Sequence, residues 1–489
     1  MKLSVSSRPL CEGKGDAILL FFRGLRSLPA ALPEALRNRR ASLLETTSFK
    51  GEAGQVAVLP AGDEVRAKAY VFAGLGASDE NLPGTLERAA SAAVRAGRAA
   101  GLFRFLVPAD AVPEGLSANE FRLLVGRGAQ WGAYDFSRFK TDAPRRPAGS
   151  LVFAGGRDRS GLREAGIQGE ALRAVADLAN LPGNEATPER ICAFAREMAR
   201  HSGLSCRVLG PAALKKMGFG ALLAVGGGSA REPRLIVLRH AGADPKAKPI
   251  VLVGKTVTFD AGGISIKPGK GMGWMRYDKC GGMAVLAAMR MIAETNAPAP
   301  VVGILAVAEN MPDGGAARPG DVVRCRNGKT VEILNTDAEG RLLLADALAY
   351  ASEMKPRAIV DVATLTGACV VALGSAASAV LGSDDALVEG LVSAGAADGE
   401  RLWHLPLYRE YLEEMKSDFA DLSNLCKSGG AGTATAAAFL REFVGEGIPW
   451  AHIDIAGTAW METEKPHQAP GATLFGARLL ARWVARENG

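Results

Sequence analysis

The chain has 489 residues, 48% hydrophobic and 22% charged, the balance of a globular protein with room for two or three domains and a deep core. No apolar run approaches the ~20 residues a membrane-spanning helix needs, and the first residues lack the charged-then-apolar form of a signal peptide, so no membrane partner and a cytoplasmic location are expected. Seven scattered cysteines without a Cys-x-x-Cys pair argue against a disulfide framework or a thiolate zinc site.

The net charge of +6 sits in the first third. Residues 1–170 hold 24 Lys+Arg against 18 Asp+Glu, whereas residues 171–489 hold 34 of each. Such an excess fits an anionic partner, including DNA, but a mildly basic solvated surface is the simpler explanation.

Taken in order, residues 17–22 and 65–73 are apolar runs of strand length, 86–100 is Ala-rich with helical spacing, 103–107 returns to strand and 118–134 reads as a helix. Alternation of this kind predicts a small domain with a partly parallel sheet. Residues 138–156 are basic and contain Pro, which suits a domain boundary. Residues 169–181 are helical, and Thr187 with Pro188 supplies an N-cap and first turn for the next helix. Beyond residue 230 come short apolar runs without clean alternation, at 234–238, 249–253, 301–306, 358–362 and 451–455, the pattern of strands covered on both faces. Helical stretches lie at 282–294, 341–353, 433–443 and 473–486. Arg326-Asn327-Gly328-Lys329 reads as a tight hairpin turn. The fold class is therefore α/β in two domains: a smaller N-terminal α/β domain over 1–165, and a larger one over 166–489 with a mixed sheet flanked by helices.

Val251-Leu252-Val253-Gly254-Lys255-Thr256 ends like a phosphate-binding loop, but Pro249 stands where that loop needs its first Gly. The chemistry is elsewhere. Lys255 and Asp260 follow the 249–253 strand, Lys267 and Asp278 lie in the Gly-rich stretch after it, and Asp337, Glu339 and Arg341 sit in the turn before a helix. Ligands bind at the carboxyl ends of strands in open α/β sheets. Four carboxylates converging there would repel one another unless divalent cations neutralised them. The five His are scattered and no His-Glu-x-x-His occurs, so a His-based zinc protease is excluded. Each residue alone has a bland role as turn residue, helix cap or surface charge; the combination carries the reading.

Asn335-Thr336-Asp337-Ala338-Glu339-Gly340-Arg341-Leu342 resembles the signature octapeptide of the leucyl (cytosol) aminopeptidase family at every position. Lys255, Asp260, Lys267 and Asp278 follow that family's spacing of five, seven and eleven residues. The stretches Asp361-Val362-Ala363-Thr364-Leu365-Thr366-Gly367-Ala368, Ala451-His452-Ile453-Asp454-Ile455-Ala456-Gly457-Thr458-Ala459-Trp460, Leu405-Pro406-Leu407 and Asn180-Leu181-Pro182-Gly183-Asn184 also match, so the resemblance covers about residues 170–485. It implies two divalent metal ions per subunit, Mn²⁺ or Zn²⁺ with Mg²⁺ a further option. Lys255, Asp260, Asp278 and Glu339 are the implied ligands of the tighter site, and Asp260, Asp337 and Glu339 those of the exchangeable one. Lys267 would meet charge on the reacting carbonyl, and Arg341 would hold bicarbonate as general base. Met275, Asn335, Thr364 and Gly367 would line a pocket for an apolar first side chain such as Leu. The expected activity is release of N-terminal amino acids from peptides with a free N-terminus, by a homohexamer. Alternatives within the family are a DNA-binding accessory role or a dipeptidase specialised for a substrate such as cysteinylglycine. The chain departs from the family's usual residues at Thr256 (often Gly), Ala261 (often Ser), Lys279 (often Met) and Met283 (usually Ala).

Overall fold

The computed structural model describes residues 1–23, 48–77, 81–142 and 146–487. Two compact units form. One comprises Met1–Arg173 with Ala397–Gly399 and Met461–Pro470; the other comprises Ala174–Ala396, Glu400–Trp460 and Gly471–Gly489.

The first unit is built on six strands: β1 (Lys2–Ser6), β2 (Ala17–Phe22), β3 (Val56–Pro60), β4 (Ala69–Gly74), β5 (Arg104–Pro108) and β6 (Ser150–Ala154), in the spatial order β1-β6-β5-β2-β4-β3. All neighbours are parallel except β3 with β4. Helices Leu82–Ala99 and Ala118–Gly132 pack on it. Its most deeply buried arginine among the described residues, Arg127, meets Glu87 at 2.6 Å and Asp398 at 2.8 Å, as a buried charge requires. The reading of 138–156 as a boundary fails at its second half. Ser150–Ala154 is an interior strand of this sheet, paired with both β1 and β5. Its five-residue apolar segment was masked by the Pro and Arg before it; residues 143–145 lie outside the described residues.

The second unit carries an eight-stranded mixed sheet. Its strands are β7 (Ser205–Leu209), β8 (Arg234–His240), β9 (Ile250–Asp260), β10 (Val301–Asn310), β13 (Ala358–Ala363), β14 (Ser378–Gly382), β15 (Leu402–His404) and β17 (Trp450–Asp454). They are ordered β15-β14-β17-β13-β9-β10-β8-β7, with β17, β13, β9 and β10 parallel at the centre. A smaller sheet joins the antiparallel hairpin β11 (Asp321–Arg324) and β12 (Thr330–Ile333) to β16 (Leu422–Ser423), with Gly328 at φ +91° in the hairpin turn. Helices cover both faces of the large sheet. Val251, Val253 and Val257 of β9 pack with Leu342–Leu344 of helix Gly340–Ser352. On the opposite face helix Cys280–Glu294 presses so close that a Cβ on Gly254 would stand 2.5 Å from Gly282 Cα. A Cβ on Gly282 would in turn overlap Thr256 Oγ1. Thr256, where the family often has Gly, is thus accommodated by the bare backbone of Gly282.

Strand β9 is longer than its apolar run predicts. It continues through Lys255 to Asp260, so those two residues lie within the strand and at its end rather than in a loop after it. Polar and glycine residues broke the hydrophobic signal, while the ladder to β10 continued.

Gly282→Ala is expected to destabilise the protein by about 1–3 kcal/mol, the usual cost of overpacking. The double variant Gly282→Ala with Thr256→Gly should recover most of it. Denaturant midpoints of the three proteins check this; equal losses in the single and double variants would count against it.

Candidate metal centre

A bulge decides which face Asp260 occupies. Between β9 and β10 the register passes from Val257↔Ala308 to Asp260↔Asn310, three residues on one strand against two on the other. Asp260 lies five positions after Lys255, an odd offset that would send their side chains to opposite faces of a regular strand. The extra residue restores them to one face. That is the face of Val253 and Val257, toward the start of helix Gly340–Ser352.

Four carboxylates and two ammonium groups meet there. Lys255 Nζ lies 2.8 Å from Asp278 Oδ1 and 2.7 Å from Glu339 Oε1, and donates to the Thr364 carbonyl at 2.8 Å. Lys267 Nζ lies 2.9 Å from Asp260 Oδ2 and 2.6 Å from Asp337 Oδ1. Each carboxylate is positioned by local structure. Asp278 follows the 3-10 turn Gly273–Tyr277, its carbonyl accepts from Val257 N, and its Oδ1 accepts from the Thr364 hydroxyl at 2.6 Å. Asp260 Oδ1 accepts from Gly262 N and from Asn310 Nδ2. Asp337 is set by an Asx turn, its N–H donating to Asn335 Oδ1 at 2.8 Å. Glu339 stands at the N-cap of helix Gly340–Ser352, where the helix dipole favours negative charge.

The two loops that carry these carboxylates are tied to each other. Thr336 Oγ1 donates to the Gly262 carbonyl at 2.6 Å and accepts from Ser265 N at 2.8 Å. Three residues that the sequence reading missed complete the arrangement. Asn310 Nδ2 donates to Asp260 Oδ1 at 2.8 Å and to the Thr336 carbonyl at 3.0 Å. Asn424, fully buried, accepts from Leu334 N and donates to the carbonyls of Asn335 and Ala338. Gly340 lets Lys255 approach, for a Cβ there would lie 2.6 Å from Lys255 Cε and 2.7 Å from Nζ. Asn310 ends a buried strand beside Asp260 and was findable by the strand-end rule; Asn424, far along the chain, gave no local signal.

The charges are strained in the direction a cation would relieve. Burial raises the pKa of Asp260, of Asp337 and, most strongly, of Asp278. Burial works against the charge on Lys255, but Asp278, Glu339 and Asp260 outweigh it and hold that ammonium protonated beyond its ordinary range. Lys267 is raised likewise, burial again being outweighed by Asp260 and Asp337. Asp278 Oδ2 is buried without a hydrogen-bond partner, and Asp337 Oδ1 and Glu339 Oε1 have a lysine at ion-pair distance but outside hydrogen-bonding geometry. Oxygens of Asp260, Asp337 and Glu339 can all lie within 4.8 Å of one another. Buried, under-coordinated carboxylate oxygens converging at that spacing fit hard or borderline divalent cations.

The remaining expected residues surround this centre unequally. Arg341 is buried, has no ion pair among the described residues, and leaves its Nε unpartnered. Burial pushes its pKa down against the pull of Glu339, Cys426 and Asp454. Met275 is half-buried in the turn before Asp278, Asn335 is half-buried beside Asp337, and Gly367 is exposed at the first turn of helix Gly367–Leu373. Thr364 is buried with its hydroxyl committed to Asp278.

The sequence of residues 173–481 matches the family model for the catalytic domain of the cytosol aminopeptidase family, and residues 18–143 match its N-terminal domain. The chain belongs to the cytosol aminopeptidase family. It is a metallo-aminopeptidase of two-domain α/β fold. Among curated relatives, a probable cytosol aminopeptidase of Geobacter sulfurreducens is 44% identical over 94% of this chain and 93% of its own. One from Cenarchaeum symbiosum is 42% identical over 85% of each. A solved structure titled bottromycin maturation enzyme BotP in complex with Mn superposes with a TM-score of 0.86 at 35% identity, covering 97% of this chain and all of the other. No helix among the described residues of this family member is long and apolar enough to cross a membrane.

Two outcomes are expected. Gly340→Ala should displace the Lys255 ammonium and weaken Mn²⁺ binding by about 10–100-fold, the usual effect of disturbing a ligand's support; calorimetric titration reads it, and an unaltered affinity would refute it. The raised carboxyl groups hold protons more readily in the folded than in the unfolded protein. Their contribution to stability is therefore present at acid pH and lost as pH rises through the raised values. Cation binding needs the deprotonated forms, so the rise in Tm caused by Mn²⁺ should be larger at pH 7.5 than at pH 5. A shift independent of pH would contradict this.

Proposed function

We propose that this aminopeptidase works with two divalent cations and releases apolar residues such as Leu from the free N-terminus of peptides. The observation that carries the reading is the convergence of Asp260, Asp278, Asp337 and Glu339, with buried oxygens left under-coordinated, around Lys255 and Lys267. Lys255, Asp260, Asp278 and Glu339 would hold one cation, and Asp260, Asp337 and Glu339 the other, with Asp260 and Glu339 shared. Mn²⁺ and Zn²⁺ suit this donor set, and the Mn complex of the structural relative favours the first. When bound, such cations supply Lewis acidity and make a coordinated water hydroxide-like near neutral pH.

The chain's own groups do the rest. As a ligand Lys255 must be neutral, and the carboxylates now holding its proton are those that cations would neutralise. Lys267, the more accessible of the two lysines, would turn its ammonium toward the oxygen that gains charge as the peptide carbonyl is attacked. Arg341 would present its planar fork to a planar anion such as bicarbonate, which takes the proton from water. Its burial and unpartnered Nε support that role. Met275, Asn335, Thr364 and Gly367 would border the first side chain. Because the Thr364 hydroxyl is bonded to Asp278, Thr364 would serve there as wall rather than as donor. Homohexamer assembly and a cytoplasmic location are part of the same proposal and rest on the family alone.

With Mn²⁺ added, hydrolysis of leucine amide should fall by at least about 100-fold in the double variant Asp337→Asn, Glu339→Gln, with far-ultraviolet circular dichroism unchanged. Wild-type rates in that variant would sink the two-cation reading.

A further inference from the structure

One cation in the second unit has no counter-charge and is nevertheless held in place. Arg276 Cζ lies 5.5 Å from the ring centroid of Trp274 and 5.6 Å from that of Trp460. The two indoles are 6.2 Å apart at 58°, and Tyr277 packs against Trp460 at 6.4 Å. Stacking on aromatic faces fixes a guanidinium without cancelling its charge. No ion pair to Arg276 occurs among the described residues, its Nε is buried without a partner, and Trp460 Nε1 in the same cluster is also buried without a partner. Two unmatched donors in one cluster are costly unless something accepts from them.

The backbone beneath the cluster is fixed as well. The Arg276 carbonyl accepts from Lys279 Nζ, which also donates to the Leu181 carbonyl at 3.1 Å. Lys279 is fully buried, and it stands where the family often has a Met that could make neither bond. The cluster also has a definite place. Arg276 precedes Asp278 by two residues and adjoins Met275. Arg276 and Asp278 belong to the 3-10 turn Gly273–Tyr277 and its C-cap, where residues two apart stand roughly 5 Å from each other, within the span from a dipeptide's amine to its carboxylate.

We infer that Arg276, clamped by Trp274 and Trp460, binds the C-terminal carboxylate of a dipeptide whose amine lies at the carboxylate centre. A carboxylate is the matching acceptor because it offers two oxygens in one plane to the guanidinium and can also receive an indole N–H. The inference rests on the aminopeptidase reading above and adds a preference for short, free-acid peptides.

The test compares Leu-Gly, Leu-Gly amide and Leu-Asp amide on Mn²⁺-loaded wild type, Arg276→Gln and Arg276→Lys, with Tm measured for each. The kcat/KM ratio of Leu-Gly to its amide should favour the acid in wild type, fall at least about tenfold in Arg276→Gln chiefly through KM, and recover in part in Arg276→Lys. Tryptophan fluorescence supplies a readout independent of turnover: Leu-Gly should perturb it in wild type and much less in Arg276→Gln. That response would uphold the subsite even if neither substrate were hydrolysed, a result that would instead overturn the aminopeptidase reading. Equal losses on acid and amide, or no change in their ratio, would mean that the cluster is structural and would overturn the inference. So would a dependence on Arg276 confined to Leu-Asp amide, which would assign the site to an acidic second side chain.

Discussion

The catalytic unit is organised around an electrostatic problem: four carboxylates brought together where water cannot screen them. Two ammonium groups solve half of it, the buried Lys255 between Asp278 and Glu339, and the half-buried Lys267 between Asp260 and Asp337. The remaining negative charge is what makes the site a trap for divalent cations. Much of the surrounding architecture keeps this arrangement from relaxing. Asn310, Thr336, Thr364 and Asn424 each spend their hydrogen bonds on one of these carboxylates or on the backbone that carries one.

Glycines set how closely the pieces approach. Gly254 and Gly282 let a helix lie directly on the central strand, and Gly340 leaves room for the Lys255 side chain at the start of another. The octapeptide therefore does two jobs at once. Asp337 and Glu339 bring oxygens to the centre, while Gly340 between Glu339 and Arg341 keeps a helix from closing on Lys255, which Glu339 faces.

Much of this was legible in the sequence. The apolar runs at 301–306, 358–362 and 451–455 all became central strands, and Lys255, Asp260, Lys267, Asp278, Asp337 and Glu339 meet at one centre. What escaped did so for physical reasons. The run at 249–253 stopped where Gly254 and Lys255 interrupted the hydrophobic signal, yet the backbone ladder to β10 does not depend on side chains and went on to Asp260. Ser150–Ala154 was hidden by the Pro and Arg that precede it. Asn424 bonds to a loop about ninety residues earlier in the chain, and no periodicity records such a contact. Thr364 was expected as pocket lining; that its hydroxyl steadies Asp278 was not legible in the sequence.

The bulge near the end of β9 has one more implication. It divides the strand into two segments of opposite phase: the first locks into the core, and the second aims its last side chain at the carboxylate centre. Core packing constrains only the first segment, so the alignment of the site is recorded in a residue count rather than in any residue's identity. A one-residue insertion between the bulge and Asp260 would leave the hydrophobic core in register while turning Asp260 to the other face. Loss of the carboxylate centre and loss of fold are thereby separable events in this chain.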